Sequence, residues 1–214
     1  MVKSIKTRRP VIVDYGSGNI RSAVKAFEHV LGEEVISTNK PLDLDNASHI
    51  VLPGVGSFAD CKNGLLAFPG LVDGLLEHVV EKQKPFLGIC LGMHLLADVG
   101  FENMKKNGLG WIEGKVAKIK KKNNEQRIPH IGWNEVYFKK DNSLFLNIKP
   151  GKDFYFVHSY HFICKSSEHI IGRTPYYGKF ISAVKKKNII GVQFHPEKSQ
   201  KPGFSFLRNF LKIA

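Results

Sequence analysis

The apolar positions of this chain come in two textures. In the first hundred residues they form short unbroken runs: Pro10–Asp14 (PVIVD), His49–Leu52 (HIVL) and Phe86–Ile89 (FLGI). Such runs are too short for helices and lack the alternation of a strand wetted on one face, so each predicts a strand buried on both sides. Between them the period changes. Within Asn19–Leu31, the residues Ile20, Val24, Phe27 and Leu31 recur at helical spacing, and Leu71–Val80 reads the same way. Strands alternating with helices predict a parallel sheet covered on both faces. From Gly110 the texture becomes short strands divided by turn residues: WIEGKVAKI, NEVYF, FYFVHSYHFI, HIIGRT, FISAVK and IIGVQF. The KKKN between FISAV and IIGVQF predicts a hairpin tip, and Pro202–Ile213 a closing helix. There is no repeat and no Pro/Gly/Ser linker, so residues 1–214 read as one α/β domain with a partly antiparallel second half.

Composition narrows the class. Among 214 residues, 43% are hydrophobic and 24% charged, as in ordinary globular proteins. No apolar stretch approaches the roughly 20 residues that span a bilayer. The N-terminal MVKSIKTRRP is basic, but the VIV that follows is too short for a signal-peptide core. Cys61, Cys90 and Cys164 are odd in number and form neither a CxxC metal pattern nor a disulfide framework, which points to a reducing cytoplasm. The net charge of +13 gathers at Lys118–Lys122 and Lys185–Lys187, beside expected turns. Those clusters are not interleaved with aromatics, as a nucleic-acid surface would be. They read as solvated strand ends, or as a bias toward anionic substrates or an acidic partner.

Chemistry concentrates at the end of the third apolar run, FLGICLGM. A strand, a Gly-x-Cys-x-Gly turn and a helix together form the thiol counterpart of a nucleophile elbow. Gly88 and Gly92 permit a turn that bulky neighbours would block. The turn presents Cys90 at the C-terminal edge of the sheet, where open α/β sheets bind ligands. A helix N-terminus there favours a thiolate, and the Leu91 amide would face a developing oxyanion. Cys61 and Cys164 lack that context and are expected to be structural. In GVQFHPEKS, His195 and Glu197 lie two apart at the end of an apolar strand. Both would project to one side of an extended segment, so Glu197 could orient His195 as a base for Cys90.

With FLGICLGM and QFHPEKS both present, the chain resembles a class I, triad-type glutamine amidotransferase. DYGSGN, LPGVGSF, PHIGWN and YFVHSYH sharpen the match to the HisH family, the glutaminase subunits of imidazole glycerol phosphate synthase. The resemblance runs from about Val11 to the final helix. It implies a flavodoxin-like mixed sheet with helices on both faces and an antiparallel C-terminal extension. It also implies that Cys90 attacks the carboxamide of L-glutamine, His195 relays the proton and Glu197 orients it, with neither cofactor nor metal. Gly54 and Val55 of the PGVG segment, with Leu91, would serve the oxyanion. Gly56, His94, His158, Ser159 and Tyr160 fall where the family holds glutamine. Asn19 and the rest of Asp14–Asn19, with Trp133, Asn134, Tyr155 and Lys198, match the partner interface. That partner would be a HisF-like (β/α)8-barrel cyclase in a heterodimer. The amidotransferase pattern leaves no stretch for a synthase, and free ammonia is mostly protonated at neutral pH, so a sealed route to a second active site is needed.

One residue departs from the family pattern. His94 stands where relatives usually carry the Gln of Gly-Met-Gln, which helps to hold the substrate. Either His94 replaces that contact and makes glutamine binding pH-sensitive, or it packs into the pocket wall. As a residue of the same helix as Cys90, it is a poor candidate for the base. Two further readings stay open from the sequence: a paralogue feeding ammonia to another synthase, such as a surface-sugar amidination enzyme, and a basic nucleic-acid-binding protein on an amidotransferase fold.

Overall fold

The computed structural model describes residues 8–16, 19–121, 127–139 and 141–214. Ser17 and Gly18 of DYGSGN and Lys122 of the first lysine cluster lie outside the described residues. The three apolar runs are strands: β1 (Pro10–Val13), β3 (His49–Gly54) and β4 (Phe86–Cys90). They lie parallel in the order β2-β1-β3-β4-β13, where β2 is Ile36–Thr38 and β13 is Ile189–Val192. Every residue of β1, β3, β4 and β13 is buried, as unbroken apolar runs require.

Period-two alternation divides these strands between two cores. Val11, Val13, Ile50, Leu52 and Phe86 pack with α2 (Phe58–Leu66) and α3 (Leu71–Leu75) on one face. Ile12, Val51, Leu87 and Ile89 pack with α1 (Ile20–Leu31) and α5 (Gln200–Phe210) on the other. There Phe27 of α1 meets Phe210 of α5 edge to face, with ring centroids 6.3 Å apart. The buried stripe of α1 is Ala23, Ala26, Phe27, Val30 and Leu31. Ile20 and Val24, expected in that stripe, sit at its half-buried margin.

The second half is antiparallel, as expected. β12 (Lys179–Lys186) pairs with β13 through the KKKN tip, where Lys187 takes φ +54°. Beyond β12 come β10 (Tyr160–Cys164) and β7 (Gly114–Lys118), then the two-residue strands β5 (Val99–Gly100) and β6 (Lys106–Asn107). A branch runs from β12 through β11 (Ile170–Pro175) and β8 (His130–Phe138) to β9 (Lys152–His158). FYFVHSYHFI, read as one strand, is two, because the chain changes sheet partners at Ser159. Leu71–Val80 is α3 continued by a wider helical turn over Leu76–Glu81. α2, which the apolar spacing did not announce, starts at Ser57, whose Oγ accepts from Asp60 N at 3.1 Å.

Two glycines let β3 and β4 meet the turn beyond Cys90. A Cβ on Gly92 would stand 1.8 Å from the Leu52 carbonyl oxygen, and one on Gly88 would stand 2.5 Å from that of Gly92. The helix beyond the turn, α4 (Leu91–His94), is a single turn. Gly92→Ala should therefore cost about 3 kcal/mol or more, by overpacking against backbone that cannot yield. A urea midpoint within error of the parent would refute this close approach.

The cores also hold histidines that stay neutral. Burial lowers His49, His94 and His130 from 6.5 to about 4, with the Arg8 charge adding to the effect at His49, and burial holds His158 well below 6.5. Below about pH 6.5 the unfolded chain takes up protons that these folded sites refuse. Their stabilising contribution is thus complete above the unfolded pKa and is lost as pH falls toward 4. The urea midpoint should drop steadily from pH 6.5 to pH 4; a flat profile would contradict the neutral buried state.

Candidate active site

By strand alternation Cys90 should share the face of Phe86. It does not: Cys90 has φ +56° and ψ −108°, and packs with the opposite core. That region of backbone space costs a non-glycine residue about 1–3 kcal/mol and persists only where surroundings enforce it. The enforcing contacts are the close approaches at Gly88 and Gly92, with Gly54 of β3 paired to Cys90 of β4.

The redirected thiol borders a cavity of about 260 Å³ lined by Val55, Gly56, Cys90, Leu91, His94, His158, Ser159, Tyr160 and His195, together with Glu102, Pro129 and Val157. The cavity thus gathers residues from six parts of the chain. Of the residues expected at the oxyanion or the substrate, Gly54 does not line it. It lies beneath Leu91, and a Cβ there would come within 2.8 Å of Leu91 Cβ and of the Tyr15 hydroxyl. The Tyr15 hydroxyl donates to the Pro53 carbonyl at 2.9 Å, and Cys61 Sγ donates to the Val55 carbonyl at 3.4 Å. Both contacts hold the PGVG segment in place, which gives Cys61 its structural role. Cys164 sits apart, its thiol 3.1 Å from the Ser166 carbonyl.

His195 and Glu197 meet as a pair, with Nδ1 2.7 Å from Oε1 and both side chains about 97% buried or more. The route differs from the expectation. The segment is not extended through Glu197; Pro196–Lys198 forms a 3₁₀ turn that swings the carboxylate back to the ring. The backbone at this point is pinned: His195 N donates to Tyr155 O at 2.9 Å, and Ser199 Oγ donates to His195 O at 2.6 Å. Burial alone would lower the His195 pKa, but the charge and hydrogen-bonding reach of Cys90, and then those of Glu197, overcome it and raise the pKa well above 6.5. The coupling to Cys90 is one of proximity. His195 Nε2 has no partner that meets hydrogen-bond geometry, a looseness common in sites without substrate.

A directed hydrogen-bond chain supports the far wall. Asn134 Nδ2 lies 2.8 Å from the Pro175 carbonyl and 3.2 Å from His130 Nε2, so it donates to both. His130 must then carry its hydrogen on Nδ1, which lies 2.9 Å from His158 Nε2. His158 donates in turn from Nδ1 to the Tyr160 carbonyl at 2.8 Å. His130 and His158 face each other across the β8–β9 ladder, and His130 stacks on Tyr176 with centroids 3.9 Å apart. Asn134, expected at an interface, is therefore half-buried and part of the pocket's scaffold.

Three of the other expected interface residues, Trp133, Tyr155 and Lys198, lie together behind His195. Trp133 and Tyr155 are cross-strand partners whose rings meet edge to face at 6.0 Å, and Lys198 Nζ stands 5.7 Å from the Tyr155 ring centroid. The Tyr155 ring is 6.5 Å from that of His195. On the outer face of β8, Ile131, Trp133 and Tyr137 are exposed by 60%, 48% and 49%, an apolar strip of the kind that marks an interaction surface. Asn19 stands apart as the residue preceding α1, its Oδ1 accepting from Ser22 Oγ at 2.8 Å.

His94 is 1% exposed and its Nε2 lies 2.7 Å from Gln193 Oε1. Burial brings its pKa down to about 4, so it does not titrate between pH 6 and 8, and the expectation of pH-sensitive substrate binding through this residue loses its basis. Gln193 itself was passed over in the sequence. Its signal was a lone amide closing the apolar run IIGVQF, and it is completely buried.

The chain as a whole has relatives among known proteins. The Glutamine amidotransferase class-I family matches residues 11–214. The "Imidazole glycerol phosphate synthase subunit HisH" of Brucella melitensis is 47% identical over 95% of this chain and 98% of its own length. The protein of the same name from Rhodospirillum rubrum is 42% identical over 96% and 99%. Solved structures share the fold: PurLQS from Thermotoga maritima (TM-score 0.66, 19% identity, 95% of this chain and 97% of that one) and the glutaminase domain of Trypanosoma brucei CTPS (0.67, 17%, 96% and 93%). Likeness along nearly the whole chain places this protein in the class-I glutamine amidotransferase family, among the HisH subunits of imidazole glycerol phosphate synthase.

Proposed function

We propose that this chain, as one α/β domain in the cytoplasm, hydrolyses glutamine in histidine biosynthesis and delivers the ammonia to a barrel cyclase subunit of the HisF type. The observation that carries the reading is Cys90 and His195 on one cavity, with buried Glu197 held against the far nitrogen of His195. Cys90 Sγ attacks the carboxamide carbon, and the carbonyl π electrons move to oxygen. That oxyanion lies near the Leu91 amide and the Val55–Gly56 backbone. His195, protonated and held by Glu197, gives its proton to the amine as the C–N bond breaks, and ammonia leaves. The thioester is then opened by water whose proton passes to His195, and glutamate departs as the thiol is restored. Ser159 and Tyr160, held by the His130–His158 chain, form the wall against which glutamine would lie, with Gly56 at the opposite side.

The exposed strip of Ile131, Trp133 and Tyr137 supports a partner on the β8 face, next to Tyr155 and Lys198 behind His195. A subunit docked there would cover apolar surface and would sit one aromatic ring away from the base. The net charge of +13 fits an acidic partner face better than a nucleic acid, since no duplex chemistry uses the buried triad.

Three outcomes test this reading. In the reconstituted complex, Cys90→Ala should abolish glutamine-dependent synthesis while ammonium salts still support it; retained glutamine turnover would end the assignment. Glu197→Gln should lower glutaminase kcat by about 100-fold, in the usual range for an impaired general acid–base. The same change should move the alkaline limb of the pH profile to lower pH, because it removes a charge that raises His195; an unmoved limb would exclude Glu197 as the orienter. Trp133→Ala should weaken association with the barrel subunit by about tenfold or more in Kd, as loss of an interface aromatic does. Unchanged titration calorimetry would move the docking face elsewhere.

A further inference from the structure

The proposed mechanism leaves a buried amide beside the nucleophile without a task. Gln193 directly follows β13 and is fully buried. Its carboxamide bridges two side chains, with Oε1 2.7 Å from His94 Nε2 and Nε2 3.7 Å from Cys90 Sγ. The direction of the bridge follows from His94. Its other nitrogen, Nδ1, is buried with no hydrogen-bond partner. An orphaned buried N–H is more costly and far rarer than an acceptor left without a donor. The His94 hydrogen therefore sits on Nε2 and is donated to Gln193 Oε1. That fixes the amide: the carbonyl end belongs to His94, and the NH₂ end is turned to the sulfur. A flipped Gln193 would instead present a carbonyl to sulfur, which favours the protonated thiol over the thiolate.

We propose that His94 is a positioning residue: by holding Gln193 Oε1 it keeps the Gln193 N–H on Cys90 Sγ, and the pair stabilises the nucleophilic thiolate. The proposal rests on the reading of Cys90 as nucleophile. It gives the departure from the family's Gly-Met-Gln pattern a role aimed at the sulfur and not at the substrate. Because burial keeps His94 neutral down to about pH 4, the contact persists throughout the working range of the enzyme. His195, the titratable group acting on the same sulfur, is unaltered in every variant below.

The test is the rate of Cys90 alkylation by iodoacetamide in the full chain, followed peptide by peptide from pH 5.5 to 9. His94→Leu and Gln193→Met should each slow Cys90 at pH 7 about three- to tenfold, the effect of one hydrogen bond of ordinary strength, and shift the profile to higher pH. The double variant should be no slower than the slower single variant, since His94 acts through Gln193. His94→Gln, whose amide can donate to the same oxygen, should restore the parent profile. Buried Cys61 serves as the folding control in the same digest. If His94→Leu exposes Cys61, Gln193→Met and His94→Gln decide the question. Parent-like Cys90 profiles in folded His94→Leu and Gln193→Met, additive effects in the double variant, or a His94→Gln as slow as His94→Leu would each overturn the proposal. Failure of the underlying reading looks different: Cys90→Ala would keep its glutaminase activity, whatever the alkylation rates of the other variants.

Discussion

Everything in the site depends on how closely backbone can pass backbone at the end of β4. With only hydrogen at Gly92, the turn after Cys90 sits against the Leu52 carbonyl, and with only hydrogen at Gly88, the strand admits the turn's own Gly92 carbonyl. This contact holds Cys90 at φ +56°, a conformation no isolated peptide would keep, and turns its side chain out of the strand's alternation into the second core. The rigid support is the parallel ladder in which β3 and β13 flank β4. The same ladder delivers Val55 and Gly56 on one side of the thiol and Gln193 and His195 on the other, so a sheet register becomes a catalytic geometry.

Electrostatics then separates residues of one type. His49, His94, His130 and His158 are held neutral by burial, and each keeps at least one fixed hydrogen bond. His195 is just as buried, yet its pKa moves the other way because a carboxylate and a sulfur face it. Burial sets the strength of both effects: a low-dielectric site penalises a lone charge and amplifies a paired one. A short stretch of β8 and β9 thereby serves two ends. Its inward residues, Asn134, His130 and His158, brace the pocket wall, while its outward residues, Ile131 and Trp133, offer a face to a partner.

Much of this was legible in the residues. Unbroken apolar runs announced β1, β3 and β4, and the KKKN tip and the closing helix appear close to where turn chemistry and periodicity put them. Glycines flanking a cysteine marked the elbow, and FHPE marked its pair. The misses have physical causes. α2 has only a weak apolar stripe, so its Ser57 cap was the better signal. The break at Ser159 depends on a change of sheet partner, which no local pattern encodes. The Pro196–Lys198 turn brought His195 and Glu197 together by a route other than the extended one expected.

By itself the sequence determined the class of fold and the atoms available for chemistry, because periodicity, turn residues and motif spacing are local properties of a chain. Only the tertiary structure decided which of the nine histidines stay neutral, and that Gln193 lies between His94 and Cys90. Those outcomes depend on burial and on distances between residues as much as a hundred positions apart. The environment that shifts a proton or turns an amide exists only once the cores have closed around it.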